Sequence, residues 1–133
     1  MITERYAMLF GNDVEVKQLT HRILREGCVV LPDFFDQATK DTLTKYSQSL
    51  VGKERYAIKL RDGTPAMEVA RSPEFMRVFD TIHKARCKIQ NTEYKPLDPK
   101  RQAISLPLKT ADADTPPTPF HFDDSYINAV FAM

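Results

Sequence analysis

Residues 119–126 read Pro-Phe-His-Phe-Asp-Asp-Ser-Tyr, and this stretch carries the strongest indication of both fold and chemistry in the chain. It follows a proline-rich segment and leads into an apolar run. Successive side chains of an extended strand point to opposite faces, so His121 and Asp123 are predicted to share one face. An imidazole and a carboxylate placed in this way can ligate the same metal ion. The stretch therefore predicts part of a metal site on a β-strand.

The sequence around this stretch is predicted to be strand and loop. Several prolines between Pro96 and Pro119 exclude long helices there. Residues 102–109 are predicted to form one strand, residues 110–119 a connecting loop, and residues 120–131 a second strand or a strand pair. The last third of the chain is thus expected to contribute β-structure.

The opening of the chain predicts a helix, a strand and a second helix. Apolar residues recur at helical spacing between Asp13 and Glu26, with Asn12 or Asp13 as the cap and Gly27 just past the end. Residues 28–31 form a short apolar run that ends at a proline, which is typical of a buried strand. A second helix is predicted from residue 36 to residue 51.

The middle of the chain predicts a hairpin and a third helix. Residues 54–61 alternate between apolar and basic side chains, and Asp62-Gly63 is a turn signal. Ser72-Pro73-Glu74 has the composition of a helix start, with serine as the cap and proline in the first turn. The helix that follows is predicted to bury a stripe made of Phe75, Val78, Phe79 and Ile82.

Composition restricts the function classes. The 133 residues fit one domain, and 19 basic against 18 acidic residues leave a formal net charge of +1. Because basic residues are scattered among acids, no nucleic-acid partner is expected. No run approaches the roughly 20 apolar residues that a membrane span needs, so no membrane partner is expected either. Cys28 and Cys87 form no metal-binding or CxxC spacing and are predicted to be buried free thiols, which indicates a reducing, cytoplasmic location.

Two segments resemble a known family, the iron(II)- and 2-oxoglutarate-dependent oxygenases, and within it the phytanoyl-CoA dioxygenase-like group. HFDDSYINAVF at residues 121–131 resembles the His-x-Asp box of that group. REGCVVLPDFF at residues 25–35 is similar to the helix, glycine, short strand and Pro-x-Phe-Phe opening that precedes its core. The resemblance covers both ends of the chain and leaves an unspecific middle.

The resemblance implies an α+β fold in which amino-terminal helices pack on the first strands of a double-stranded β-helix, a cupin-like jelly roll. We expect a single domain over residues 1–133, helical or mixed over 1–95, with the first core strands over 96–133. Such a core needs about eight strands, and three or four are predicted here. The β-helix is therefore expected to be incomplete in this chain.

The resemblance also implies an oxidoreductase, a dioxygenase whose iron(II) is held by two imidazoles and one carboxylate. His121 and Asp123 match two of these three ligands. 2-Oxoglutarate would be the co-substrate that chelates the iron and is decarboxylated, while molecular oxygen and a small-molecule substrate complete the reaction.

The family's second histidine and the basic residue that anchors 2-oxoglutarate lie downstream of the His-x-Asp box. The other histidines, His21 and His83, fall in predicted amphipathic helices and are interpreted as surface or core-rim residues. We therefore expect the chain to be the amino-terminal portion of a longer enzyme, inactive alone. A complementary chain that carries the remaining strands is the alternative.

Further site residues and other functions are open at this point. Lys109, Tyr126 and Asn128 are candidates for binding co-substrate or substrate if they point inward, although alternating strands also expose polar residues. Asp124 has the opposite parity to Asp123 and is interpreted as a hydrogen-bond partner. Alternative functions are a non-catalytic binding or scaffold domain, in which His121 and Asp123 only pair with each other, and a cupin-like metal protein that does not use 2-oxoglutarate.

Overall fold

The computed structural model describes residues 1–50, 58–59, 63–98 and 105–106. Five helices account for most of these residues: α1 (Glu4–Leu9), α2 (Asp13–Glu26), α3 (Gln37–Leu50), α4 (Pro65–Arg71) and α5 (Pro73–Gln90). The strands in these ranges are β1 (Ile58–Lys59) and β2 (Ser105–Leu106), which pair antiparallel with Ile58 opposite Leu106.

Helix α2 has the bounds that its capping residues predict. The Asn12 side chain accepts hydrogen bonds from the amides of Val14 and Glu15, at 3.0 and 3.2 Å, and satisfies donors that have no partner within the helix. At the other end Gly27 adopts the left-handed conformation at φ 83°, and its amide donates to the Ile23 carbonyl. The predicted helix is confirmed at both ends.

Ser72 joins α4 to α5 without an intervening linker. Its hydroxyl donates to the Val69 carbonyl at 2.7 Å and accepts from the Phe75 amide at 3.3 Å. The same residue thus closes α4 and caps α5, and Pro73 follows at the first position, where its missing amide proton costs nothing. The predicted start of α5 is confirmed.

The first hydrophobic cluster lies where α2 packs against α5, with α1 at its edge. The predicted stripe of α5 contributes Val78 and Ile82, and α2 contributes Val16 and Leu19. Full burial of a side chain of this size stabilises the fold by about 1.5–3 kcal/mol. The complete buried set is Tyr6, Phe10, Val16, Leu19, Val78 and Ile82.

The second cluster lies between α3, α4 and α5 and is built on Phe35, Leu43 and Phe75. The Phe35 and Phe75 rings stack with centroids 5.9 Å apart, and Phe34 meets Phe35 edge-on at 5.0 Å. Phe34 also packs against the first cluster, so this aromatic pair joins the two clusters.

The amino-terminal residues hold the segment that connects α2 to α3. The Thr3 amide donates to the Phe34 carbonyl and the Asp36 amide to the Met1 carbonyl, each at 2.9 Å, around a bridge between Ile2 and Phe35. The Asp36 carboxylate accepts from the Met1 amino group and from the Thr39 amide at the start of α3. The hydrogen bond from the Met1 amino group contributes most, followed by those from Thr39, and together they hold the pKa of Asp36 well below its usual range.

The predicted fold, with helices on the first strands of a double-stranded β-helix, is wrong for the described residues. They form a helical structure in which two apolar clusters are buried between helices, so the helices need no sheet to cover their buried faces. The strands there are two residues long. They fall inside the predicted strands 54–61 and 102–109, while the predicted strand over residues 120–131 lies outside the described residues.

Two local predictions are also wrong. Residues 28–31 form no strand, although Val29 and Leu31 pack on the first cluster while Val30 is 82% exposed. Of the two cysteines predicted to be buried, Cys87 is buried and Cys28 is exposed. The turn at Gly63 leads into α4 instead of a second hairpin strand. Strand β1 pairs with the distant β2, so neighbouring segments do not form the predicted hairpin.

Candidate functional site

The predicted metal ligands, His121 and Asp123, lie outside the described residues, as do Lys109, Tyr126 and Asn128. Their roles therefore stay predictions. Within the described ranges, no group of three or more histidine, cysteine, aspartate or glutamate side chains is arranged to hold a metal ion.

The other two histidines differ in their surroundings. His21 is exposed on α2, whereas His83 on α5 is buried, with 7% of its surface accessible. The interpretation as a surface residue agrees with the position of His21, whereas His83 is buried and contacts the main chain. His83 belongs to a group of polar side chains that we call the α5 polar cluster: Asp80, His83 and Cys87 from α5, and Tyr94 from the segment that follows it.

The cluster forms because the chain reverses direction at the end of α5. Asn91 adopts the left-handed conformation at φ 53°, and its amide and that of Thr92 both donate to the Cys87 carbonyl. Asparagine tolerates this conformation better than most residues. Residues 92–97 are thereby turned back along the helix.

Asp80 holds the returning segment through both of its carboxylate oxygens. Tyr94 donates its hydroxyl proton to Oδ2 at 2.6 Å, and the Leu97 amide donates to Oδ1 at 3.2 Å. The hydrogen bond to Asp80, followed by burial of the hydroxyl, raises the pKa of Tyr94 to about 12. The aromatic ring of Tyr94 makes a cation–π contact: the Lys84 ammonium group lies over it, 5.7 Å from its centre.

His83 holds the same segment from the next turn of the helix. Its Nε2 lies 3.1 Å from the Lys95 carbonyl oxygen, which can only accept, so Nε2 carries the proton. Arg86 approaches Nδ1 at 3.5 Å, and a guanidinium can only donate. The ring thus lies between the Lys95 carbonyl and the Arg86 guanidinium, and the buried Cys87 thiol lies 3.9 Å from both ring nitrogens.

The arrangement anchors backbone. Asp80 and His83 bind the side chain of residue 94 and the main chain of residues 95 and 97, so two successive turns of α5 fix the path of the chain. The sequence then continues toward the His-x-Asp triplet. The α5 polar cluster therefore holds residues 94–97 against α5.

Sequence reasoning did not single out Asp80 and Tyr94. One signal was present: Asp80, His83 and Cys87 are spaced i, i+3 and i+7, which puts them on the same side of a helix whose apolar stripe they border. The contact of Tyr94 with that side depends on the turn at Asn91, which spacing alone does not reveal.

No protein-family model matches the chain, and neither a curated protein nor a solved structure matches it. A separate finding concerns membranes: among the described residues, every helix is too short or too polar to cross a lipid bilayer.

Proposed function

We propose that this protein is an iron(II)- and 2-oxoglutarate-dependent oxygenase that oxidises a small molecule, with His121 and Asp123 as two of the iron ligands. The observation that carries the proposal is the sequence His121-Phe122-Asp123 with the polar and aromatic residues that follow it. Imidazole nitrogen and carboxylate oxygen are ligands that suit iron(II). Iron and 2-oxoglutarate would supply the oxidative chemistry, and the chain would hold and orient them.

The opening of the chain supports the proposal. Helix α2, Gly27 and α3 follow one another in the order that the family resemblance implies, although residues 28–31 between them do not form its short strand. Both cysteines are free thiols, which supports the further proposal of a reducing, cytoplasmic location. Lys109, Tyr126 and Asn128 are proposed as contacts of the co-substrate or substrate, since they flank the triplet in sequence.

The test uses the three histidines of this chain as separate probes. Imidazole signals are followed by NMR while manganese(II), a paramagnetic substitute for iron(II), is added under argon with 2-oxoglutarate. We expect the His121 signals to broaden at a manganese concentration about fivefold or more below that needed for His21, because His121 and Asp123 together offer the metal two ligands and His21 offers one. Binding is expected to be weak, since two protein ligands compete poorly with water.

Three controls make this result specific. Asp123→Asn is expected to abolish the selective broadening of His121, whereas the matched variant Asp124→Asn keeps it. Succinate, which lacks the 2-oxo group, is expected not to replace 2-oxoglutarate in strengthening binding. Equal broadening of all three histidines, or selective broadening that survives Asp123→Asn, would contradict the proposal.

A non-catalytic binding domain is the second candidate. It is favoured by the helical structure of the described residues, in which the polar side chains of the α5 polar cluster hold backbone. That function predicts that manganese does not distinguish His121 from His21. A metal protein that does not use 2-oxoglutarate predicts selective broadening that is the same with succinate as with 2-oxoglutarate.

A further inference from the structure

The exposed charged side chains of α5 are all cations: Arg77, Lys84 and Lys88, which we call the basic row. At about 100° per residue these three positions fall within about 40° of one another around the helix axis. The row is about 16 Å long, at about 1.5 Å per residue. The sequence places these cations among acids, and only the helix brings them together on one face.

The basic row is not neutralised by acids in the described part of the chain. Some cations on other helices form ion pairs, such as Arg22 and Arg25 with Glu26 and Lys40 with Asp33, whereas exposed cations such as Lys17 and Lys45 form none among the described residues. Arg77, Lys84 and Lys88 form none within 4.0 Å among the described residues, although Lys84 contacts the Tyr94 ring.

Two acids lie close to the row in sequence, and neither forms an ion pair with it within 4.0 Å. Asp80 is one turn before Lys84, and both of its oxygens accept hydrogen bonds from Tyr94 and Leu97. Glu74 is one turn before Arg77, in the first turn of α5, where the helix dipole favours a negative charge. The row therefore consists of three exposed cations that form no ion pair among the described residues.

We propose that the basic row is a docking surface for an acidic segment of a partner protein, whose carboxylates pair with Arg77, Lys84 and Lys88. Charge complementarity is the basis of the proposal. The 16 Å length matches about five residues of an extended acidic peptide, or an acidic helix laid along α5. The inference is independent of the metal site proposed above.

A polypeptide fits the row better than a membrane does. Helices that bind a membrane surface combine a basic face with exposed apolar side chains that enter the lipid. The large apolar side chains that the described residues expose are Met8, Val14, Leu24 and Val30, and none of them belongs to α5.

A polypeptide also fits better than a nucleic acid. Proteins that bind duplex DNA typically neutralise about 6–10 phosphates. The row offers three cations on a chain whose formal net charge is +1, so the attraction to a polyanion is small.

The test measures binding of a fluorescent polyglutamate peptide by anisotropy at low ionic strength. The first variant carries Arg77→Gln, Lys84→Gln and Lys88→Gln, and glutamine keeps a high helix propensity. The matched control carries Lys17→Gln, Arg22→Gln and Arg25→Gln on the exposed side of α2, so that it loses an equal number of positive charges. We expect the first variant to bind about fivefold or more weakly than the wild-type chain and the control to bind within about twofold of it.

Each other outcome overturns the proposal. Equal losses of affinity in the two variants would mean that only the net charge of the protein matters. If the wild-type chain did not bind the peptide, the basic row would not be a docking surface for acidic segments. Tighter binding of a single-stranded oligonucleotide or of anionic vesicles, lost in the first variant, would assign another class of partner. Circular dichroism checks that both variants fold. The single variants Arg77→Gln and Lys88→Gln repeat the comparison without changing Lys84, which contacts the Tyr94 ring, and we expect smaller losses of affinity from them.

Discussion

At the scale of single residues, Asp80 fixes the chain beyond α5 through both of its carboxylate oxygens. It accepts from a side-chain hydroxyl and from a main-chain amide that lie three residues apart. Hydrogen bonds to a charged acceptor are stronger than neutral ones, so loss of the charge weakens both contacts at once.

Asp80→Asn is expected to lower the pKa of Tyr94 from about 12 toward the usual value near 10, because the charge that holds the phenolic proton is removed. Because the pKa of Tyr94 is higher in the folded than in the unfolded chain, its bound proton stabilises the fold fully below about pH 10. This contribution is lost as the pH rises through about 12. The variant should therefore show a smaller loss of stability over that interval. Tyrosinate absorbance during an alkaline titration measures the pKa.

Because the chain has five tyrosines, the transition of Tyr94 is obtained as the difference between the wild-type titration and that of Tyr94→Phe. Glu93→Gln removes a neighbouring charge whose side chain is 80% exposed and serves as the control. A Tyr94 transition that is the same in Asp80→Asn and in the wild-type chain would show that the contact does not persist in solution.

At the scale of secondary-structure elements, the ends of α2 can be tested separately from its packing. Gly27 lies at φ 83°, and a Cβ added there would meet nothing within 4 Å. Gly27→Ala is therefore expected to destabilise the fold by about 1–2 kcal/mol through backbone strain alone. Chemical denaturation measures the change in the free energy of unfolding.

Gly11→Ala is the matched control for this prediction. Gly11 does not adopt a positive φ, and a Cβ there would meet the Met8 carbonyl oxygen at 3.4 Å, close to ordinary contact. We expect a change within about 0.5 kcal/mol. Similar losses in both variants would mean that the left-handed turn is not what ends α2.

Local signals in the sequence predict the helix ends well, and they predict pairing between distant segments badly. Asn12, Gly27 and Ser72 act through bonds to residues two to four positions away, so their roles can be recognised from sequence. Helix α4 was not predicted, because a hairpin was expected there, although Thr64-Pro65 carries the same cap-and-proline signal as Ser72-Pro73.

The failed predictions share one physical cause: the local sequence pattern does not reveal which distant segments of the chain contact each other. The apolar run at residues 28–31 indicates an extended segment with alternate side chains on the core, but it carries no information about whether a second strand pairs with it. The jelly-roll prediction extended the family resemblance to the whole chain, and the helices instead bury their apolar faces against one another. The contact between Asp80 and Tyr94, 14 residues apart, depends on a reversal that composition does not encode.

At the scale of the whole molecule, stability depends on the packing of α2 against α5. Leu19 is buried at 6% exposure in the first cluster, while Leu24 on the same helix is 39% exposed. Leu19→Ala is expected to lower the free energy of unfolding by about 3 kcal/mol, since it removes buried methyl groups and leaves a cavity. Thermal and chemical denaturation measure the loss.

Leu24→Ala changes the same side chain on the same helix and is expected to cost about 1 kcal/mol or less. The difference between the two variants isolates burial from helix propensity. Equal costs would mean that α2 does not pack on α5 through the face that carries Leu19.

The direct junction of α4 and α5 at Ser72 limits how the length of this chain can vary. One inserted residue in an α-helix turns everything beyond it by about 100°, and here no loop exists to absorb the rotation. Such an insertion would move Met67 away from the core or separate the Ser72 hydroxyl from the Phe75 amide. Evolutionary insertions and deletions should therefore avoid this corner and accumulate where turns separate the helices.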